Sequence, residues 1–124
     1  MGKFDRLINL LSRRPRDLGK NIPQMLKKIV NDSPDTILQA FKNEIGIYEF
    51  QNYKLVYRHV LDLACALKNF GIKRGDLVGL ISDNRREWLI TDLALLSLGA
   101  ADVPRGCDSM GTEIRFIISF AECE

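Results

Sequence analysis

Residues 71–106 read GIKRGDLVGLISDNRREWLITDLALLSLGAADVPRG, and every joint of this stretch carries its own punctuation. Gly71 closes the amphipathic run ending at Phe70, where helices commonly take a left-handed residue. Gly75 and Asp76 make a turn. Leu77-Val78-Gly79-Leu80-Ile81 is a short apolar run between turn signals, as expected of a strand buried on both faces of a parallel sheet. Asp83-Asn84 ends it, and Asn84 with Glu87 three residues later predicts a capping box. Residues 85–98 predict a helix apolar nearly all round, through Trp88, Leu89, Ile90, Leu93, Leu95 and Leu98. That is the pattern of a helix held between layers. Gly99 stops it, and Ala100-Ala101-Asp102-Val103-Pro104 reads as the next strand. Strand, helix and strand in this order require a right-handed parallel crossover.

Working outward, residues 21–31 predict a helix with Asn21 as its cap and Pro23 tolerated in the first turn. Ser33-Pro34 ends it, because the residue before a proline avoids helical geometry. A strand near 36–41 and a second through Tyr48 and Phe50, with a turn at Gly46 between them, predict a hairpin. Residues 55–70 form the next helix, with Val56, Val60, Ala64 and Leu67 on one face. Beyond the crossover a helix over 110–121 is expected, capped by Asp108 or Ser109. There is no internal repeat or low-complexity tract.

GIKRGDLVGLISDNRREW followed by DLALLSLGAADVP resembles the N-terminal region of the AMP-forming acyl-CoA synthetases of the adenylate-forming superfamily. Pro104-Arg105-Gly106 with Asp108-Ser109 is similar to a wording found in bacterial long-chain fatty acid–CoA ligases. The resemblance covers residues 21–124, with one small departure. Lys54 and Leu55 stand where the family usually has a Thr or Ser cap followed by Tyr. The fold class it implies is α/β, an incomplete N-terminal part of an adenylate-forming enzyme: a small β-hairpin plus a parallel β-α-β unit with flanking helices. The function it implies is ATP- and Mg²⁺-dependent conversion of a fatty acid to an acyl-adenylate, then transfer to coenzyme A.

That chemistry uses a Ser/Thr/Gly-rich loop ending in Lys-Gly, a Thr-Glu pair for Mg²⁺ and the adenylate, an Asp for the ribose and a C-terminal domain with a catalytic Lys. None of these stands here in its setting, so no catalytic, cofactor-binding or metal-ligating residue is assigned, and no cofactor is expected for this stretch itself. Gly106 and Gly111 have phosphate-loop spacing but no accompanying Lys, and read as a loop and helix start. Thr112-Glu113 reads as a chance dipeptide in a first helical turn, where the helix dipole favours Glu. The expectation is a synthetase truncated before its phosphate-binding loop and inactive alone. Its 88–98 helix would be exposed, and its unpaired sheet edge would promote self-association. Two alternatives stay open: another acyl or aryl acid–CoA ligase, or a non-catalytic interaction module derived from this fold.

Composition agrees with one α/β unit, since 46% apolar content over 124 residues is enough to supply a core. The net charge of +2 hides an asymmetry: residues 1–20 hold six basic against two acidic side chains, and the rest hold twelve against fourteen. Phe4, Leu7, Ile8 and Leu11 recur at helical spacing within this basic leader. The pattern suits weak contact with anionic lipid, a terminal helix packed on the body, or a frayed solvated end. No apolar run approaches the ~20 residues of a membrane span, and no secretory signal pattern appears. Cys65, Cys107 and Cys123 lack the spacing of a disulfide framework or zinc site, which suits a reducing cytoplasm. Cys65 is expected to be a buried small hydrophobe and Cys107 an exposed loop residue. His59, the one histidine, reads as a surface or half-buried helix residue without catalytic partners. Arg85-Arg86 and Lys27-Lys28 are too few to imply nucleic acid.

Overall fold

The computed structural model describes residues 19–123. The leader predicted over 1–20 therefore lies, but for Gly19 and Lys20, outside the described residues. The first helix, α1 (Ile22–Asp32), starts as its sequence indicates. Asn21 Oδ1 accepts from Gln24 N at 3.0 Å, while Gln24 Oε1 reaches back to Lys20 N at 2.8 Å. One orphan donor of the helix entrance and the backbone N–H just before the cap are thereby satisfied. Strands β1 (Ile37–Lys42) and β2 (Tyr48–Asn52) form the expected antiparallel hairpin, with Ala40 opposite Phe50 and Lys42 opposite Tyr48. Asn43 organises its turn, Oδ1 accepting from Ile45 N at 3.2 Å and Ile47 N at 2.9 Å.

The second helix, α2 (Tyr53–Phe70), begins two residues earlier than the apolar periodicity indicates. Asn52 Oδ1 caps it, accepting from Leu55 N at 2.8 Å. Asparagine has the acceptor a helix entrance needs and lysine has none. The family's usual cap position at Lys54 is thus replaced by a cap two residues upstream. Val56, Val60 and Ala64 line the buried face as read, and Gly71 (φ 115°) ends the helix in the left-handed region. Cys65 corrects the sequence reading. It is exposed, because it follows Ala64 around the helix and turns away from the buried face.

The crossover is present as β3 (Leu77–Ile81), α3 (Arg86–Leu98) and β4 (Ala101–Arg105), the strands parallel with Leu77 beside Ala101 and Ile81 beside Arg105. Three expectations here need correction. Asn84 is not the cap of α3: Arg85 occupies that position without a side-chain bond, and Glu87 is engaged elsewhere. Its carboxylate accepts from Arg85 Nε at 3.0 Å and Arg86 Nε at 2.7 Å, charge-assisted bonds that outcompete a backbone amide. Nor is β3 buried on both faces; its middle is half-buried and its ends exposed, since β4 is its one partner among the described strands. And α3 is not laid bare.

Ile90, Leu93 and Ala94 of α3 join Leu26 of α1 and Val56, Val60 and Ala64 of α2 in one core, with Leu38 of β1 against it. Trp88, Asp92 and Leu95 recur at i, i+4 and i+7 and so share another face of α3. Leu95 is fully buried there, outside that cluster. The helix is apolar nearly all round because it is covered from two sides.

The last helix, α4 (Gly111–Phe120), starts after Met110, which makes no side-chain cap bond. Asp108 and Ser109 do not cap it. Ser109 N donates to Gly106 O at 3.2 Å, and this turn carries the Asp108 carboxylate over Gly106 instead. Ile118 packs on the bare Cα of Gly79, while Met110, Phe116 and Phe120 are exposed. No described helix is long and apolar enough to cross a membrane.

Candidate functional site at the carboxyl ends of the parallel strands

Open parallel α/β sheets receive ligands in the crevice beyond the carboxyl ends of their strands. Here Ser82 N donates to Arg105 O at 3.0 Å and ties the two strand ends together. The crevice above them, about 650 Å³, is lined by Ser82, Asp83, Asn84, Trp88, Arg105 and Asp108 among others. Trp88 comes from the first turns of α3 and Arg105 from the last residue of β4. A larger groove, about 1000 Å³, runs between the hairpin and the start of α3, past Phe41, Lys42, Glu49, Arg86 and Trp88. We read it as a seam between packed elements. The Arg86 guanidinium sits 4.4 Å over the Phe41 ring and bridges its two walls.

Electrostatics divide the carboxylates sharply. The Arg86 hydrogen bond, with Arg85 behind it, holds the Glu87 carboxyl down at about 2. Asp92 goes the other way, pushed up to about 6 first by burial and then by its hydrogen bond to Asp102. Asp76 is buried at the start of β3, where Oδ2 accepts from Lys73 N at 2.8 Å and Oδ1 lies 3.8 Å from Lys73 Nζ.

The residues that could mimic a phosphate loop do not fit one. A phosphate cradle needs bare backbone amides and a cation. The Asp108 carboxylate lies over Gly106, and no Lys follows before α4. Thr112 and Glu113 are exposed in the first turn of α4, with Glu113 Oε1 4.0 Å from Arg105 Nε. Among the described residues no group of three His, Cys, Asp or Glu could hold a metal ion. Half-buried His59 lies on α2 and exposed Cys107 on the loop after β4. No sequence motif singles out the Trp88–Arg105 crevice or the Asp92–Asp102 pair. The signal for the pair was present, since an aspartate in each of two apolar segments is the anomaly that burial statistics flag.

The architecture, an antiparallel hairpin and a parallel β-α-β unit bound by helices, is that of the N-terminal subdomains of adenylate-forming enzymes. The chain belongs to the family described as AMP-binding enzyme, whose sequence profile matches residues 26–124. It is 38% identical over 78 residues to long chain acyl-CoA synthetase 5 of Arabidopsis thaliana, covering 62% of this chain and 12% of that protein. It is 26% identical over 102 residues to the long-chain-fatty-acid–CoA ligase FadD15 of Mycobacterium tuberculosis, covering 82% of this chain and 17% of that protein. Among solved structures, the N-terminal subdomain of Klebsiella oxytoca NpsA in complex with 3-hydroxyanthranilyl-AMSN superposes with a TM-score of 0.78 at 26% identity. That match covers 85% of this chain and 26% of that one. The chain thus spans under a fifth of the length of the two curated relatives.

Proposed function

We propose that these residues are the opening portion of the N-terminal domain of a long-chain fatty acid–CoA ligase, and that their part in it is architectural. The observation that carries this reading is the family match over 26–124, joined to fatty-acyl relatives that cover 62% and 82% of the chain. The Pro104-Arg105-Gly106 wording supports the fatty-acyl subtype, while the likeness to NpsA favours an aryl acid as the second reading. In this proposal ATP, Mg²⁺, fatty acid and coenzyme A are handled by residues other than these, because loop 106–110 offers a carboxylate where a phosphate would need amides. What residues 19–123 supply is a pair of parallel strands, a helix buried from two sides, and a crevice wall. The protein is cytoplasmic in this reading, with the basic leader touching anionic lipid.

Two measurements test it. The chain alone, given ATP, Mg²⁺, labelled pyrophosphate and either palmitate or 3-hydroxyanthranilate, should show no ATP–pyrophosphate exchange; exchange would overturn the architectural role. In a chimera, residues 21–124 replace the matching segment of FadD15 or of NpsA. Activity retained in FadD15 and lost in NpsA is the expected result, and the reverse pattern would assign the aryl subtype.

A further inference from the structure

Two hydrogen bonds at the ends of the parallel pair fix which way the backbone of β3 faces. Asp76 O accepts from Ala101 N just before the strand, and Ser82 N donates to Arg105 O just after it. Backbone polar groups alternate between the two edges of a strand, so Val78 and Leu80 also turn toward β4. The N–H and C=O groups of Leu77, Gly79 and Ile81 therefore form the opposite edge. Among the described residues β3 has no strand but β4 beside it, which leaves that edge open.

The same alternation makes the two outer edges of the sheet unlike. Ala101, Val103 and Arg105 turn toward β3, so Asp102 and Pro104 build the outer edge of β4. Pro104 has no N–H to give there, and the ionisable Asp102 and Arg105 stand on either side of it. Proline and charge are the devices that discourage a further strand. Strand β3, Leu-Val-Gly-Leu-Ile, has neither. Strands β1 and β2 carry Lys42 and Glu49, so the one neutral, unguarded strand among those described is β3 itself.

We propose that the free edge of β3 is a dimerisation edge whose occupant is β3 of a second copy, the two running antiparallel about a twofold axis at Gly79. A twofold interface presents the same patch from both sides, and an uncharged strand meets its own copy without repulsion. Gly79 pairs with its counterpart, and Leu77 of each copy pairs with Ile81 of the other. All three residues face their backbone groups outward, so each pair exchanges both of its N–H···O bonds. The side chains of Leu77 and Ile81, 37% and 36% exposed, meet across the junction. The resulting sheet runs β4-β3-β3-β4 and ends in two guarded strands, so growth through the sheet stops at the dimer. Ile118 holds α4 on the Gly79 face, and the twofold sets both α4 helices on that face of the joined sheet. The pairing uses this chain's own strand and stands apart from the choice between a fatty and an aryl acid.

Charge exchange at the paired positions tests it, read by sedimentation of the full chain at low salt, where exposed charges act most strongly. Leu77→Lys with Ile81→Lys sets like charges opposite each other and should weaken association about tenfold or more. Leu77→Glu with Ile81→Glu should do the same. Leu77→Lys with Ile81→Glu sets opposite charges across the axis and should restore association. Mixing the two like-charged variants should restore it as well, a gain that loss of folding in either variant cannot mimic. A monomeric wild-type chain, or like-charged variants that associate as wild type does, would overturn the pairing. So would a mixture no more associated than its parts. An opposite-charge variant as weak as the like-charged ones would refute the antiparallel register.

Discussion

Asp76 shows how much a single buried carboxylate can hold at a strand's beginning. Its side chain is 6% exposed, accepts from Lys73 N and faces Lys73 Nζ, while its backbone O accepts from Ala101 N at 3.0 Å. The residue thus fixes the turn after Gly71 and the first rung of the parallel pair together. Asp76→Ala removes the acceptor from the Lys73 amide in a buried setting and should cost about 1–2 kcal/mol. Asp76→Asn, which keeps an oxygen there, should cost less. Urea unfolding of the two variants checks this, and an unchanged midpoint for Asp76→Ala would refute the role. From the sequence, Gly75-Asp76 was legible as a turn, but not as a buried anchor. Turn chemistry reveals that the chain reverses, not which end of the reversal the sheet will cover.

At the scale of elements, the sequence carried most of what matters about the crossover. Short apolar runs between glycines became β3 and β4, and the run from Trp88 to Leu98 became α3, because periodicity and turn residues act locally. Helix entrances were less legible. Asn52 rather than Lys54 caps α2, Arg85 rather than Asn84 precedes α3, and Asp108 turns to Gly106 instead of α4. In each case several polar side chains compete within a few residues, and the winner depends on partners such as Arg86 that lie off the local pattern. The Asp92–Asp102 pair was hidden for a related reason: register between α3 and β4 is a tertiary fact.

Leu95 tests whether α3 is truly covered on two sides. It is fully buried, yet lies outside the cluster formed with α1 and α2. Leu95→Ala should destabilise the chain by about 3 kcal/mol, as deletions from packed leucine sites do. Cys65→Ala, at an exposed position on α2, should stay within about 0.5 kcal/mol. Chemical denaturation of both variants reads the contrast. A Leu95→Ala effect as small as that of Cys65→Ala would mean the second side of α3 is open.

For the molecule as a whole, the apolar surface left over does not lie where the sequence suggests. Helix α3 is protected, and the exposed apolar side chains lie instead on the hairpin (Ile45 and Phe50), at the end of α2 (Phe70), and at α4, where Met110, Phe116 and Phe120 are 72%, 67% and 81% exposed. Phe116 and Phe120 stack on each other with ring centroids 5.9 Å apart, forming one continuous aromatic patch. Beside this patch the two-stranded β3–β4 sheet has no third strand among the described residues. Unpaired edges and contiguous apolar patches both favour association. The chain in isolation should therefore sediment as concentration-dependent oligomers across the micromolar range. Phe116→Ser with Phe120→Ser should shift it toward monomer, since each replaces exposed aromatic surface without touching the α1–α2–α3 core. Circular dichroism would verify that the double variant keeps its helices. If the wild-type chain sediments as a single monomeric species, the patch is harmless. If the double variant associates as strongly as wild type, the sheet edges or the exposed hairpin residues, and not α4, drive assembly.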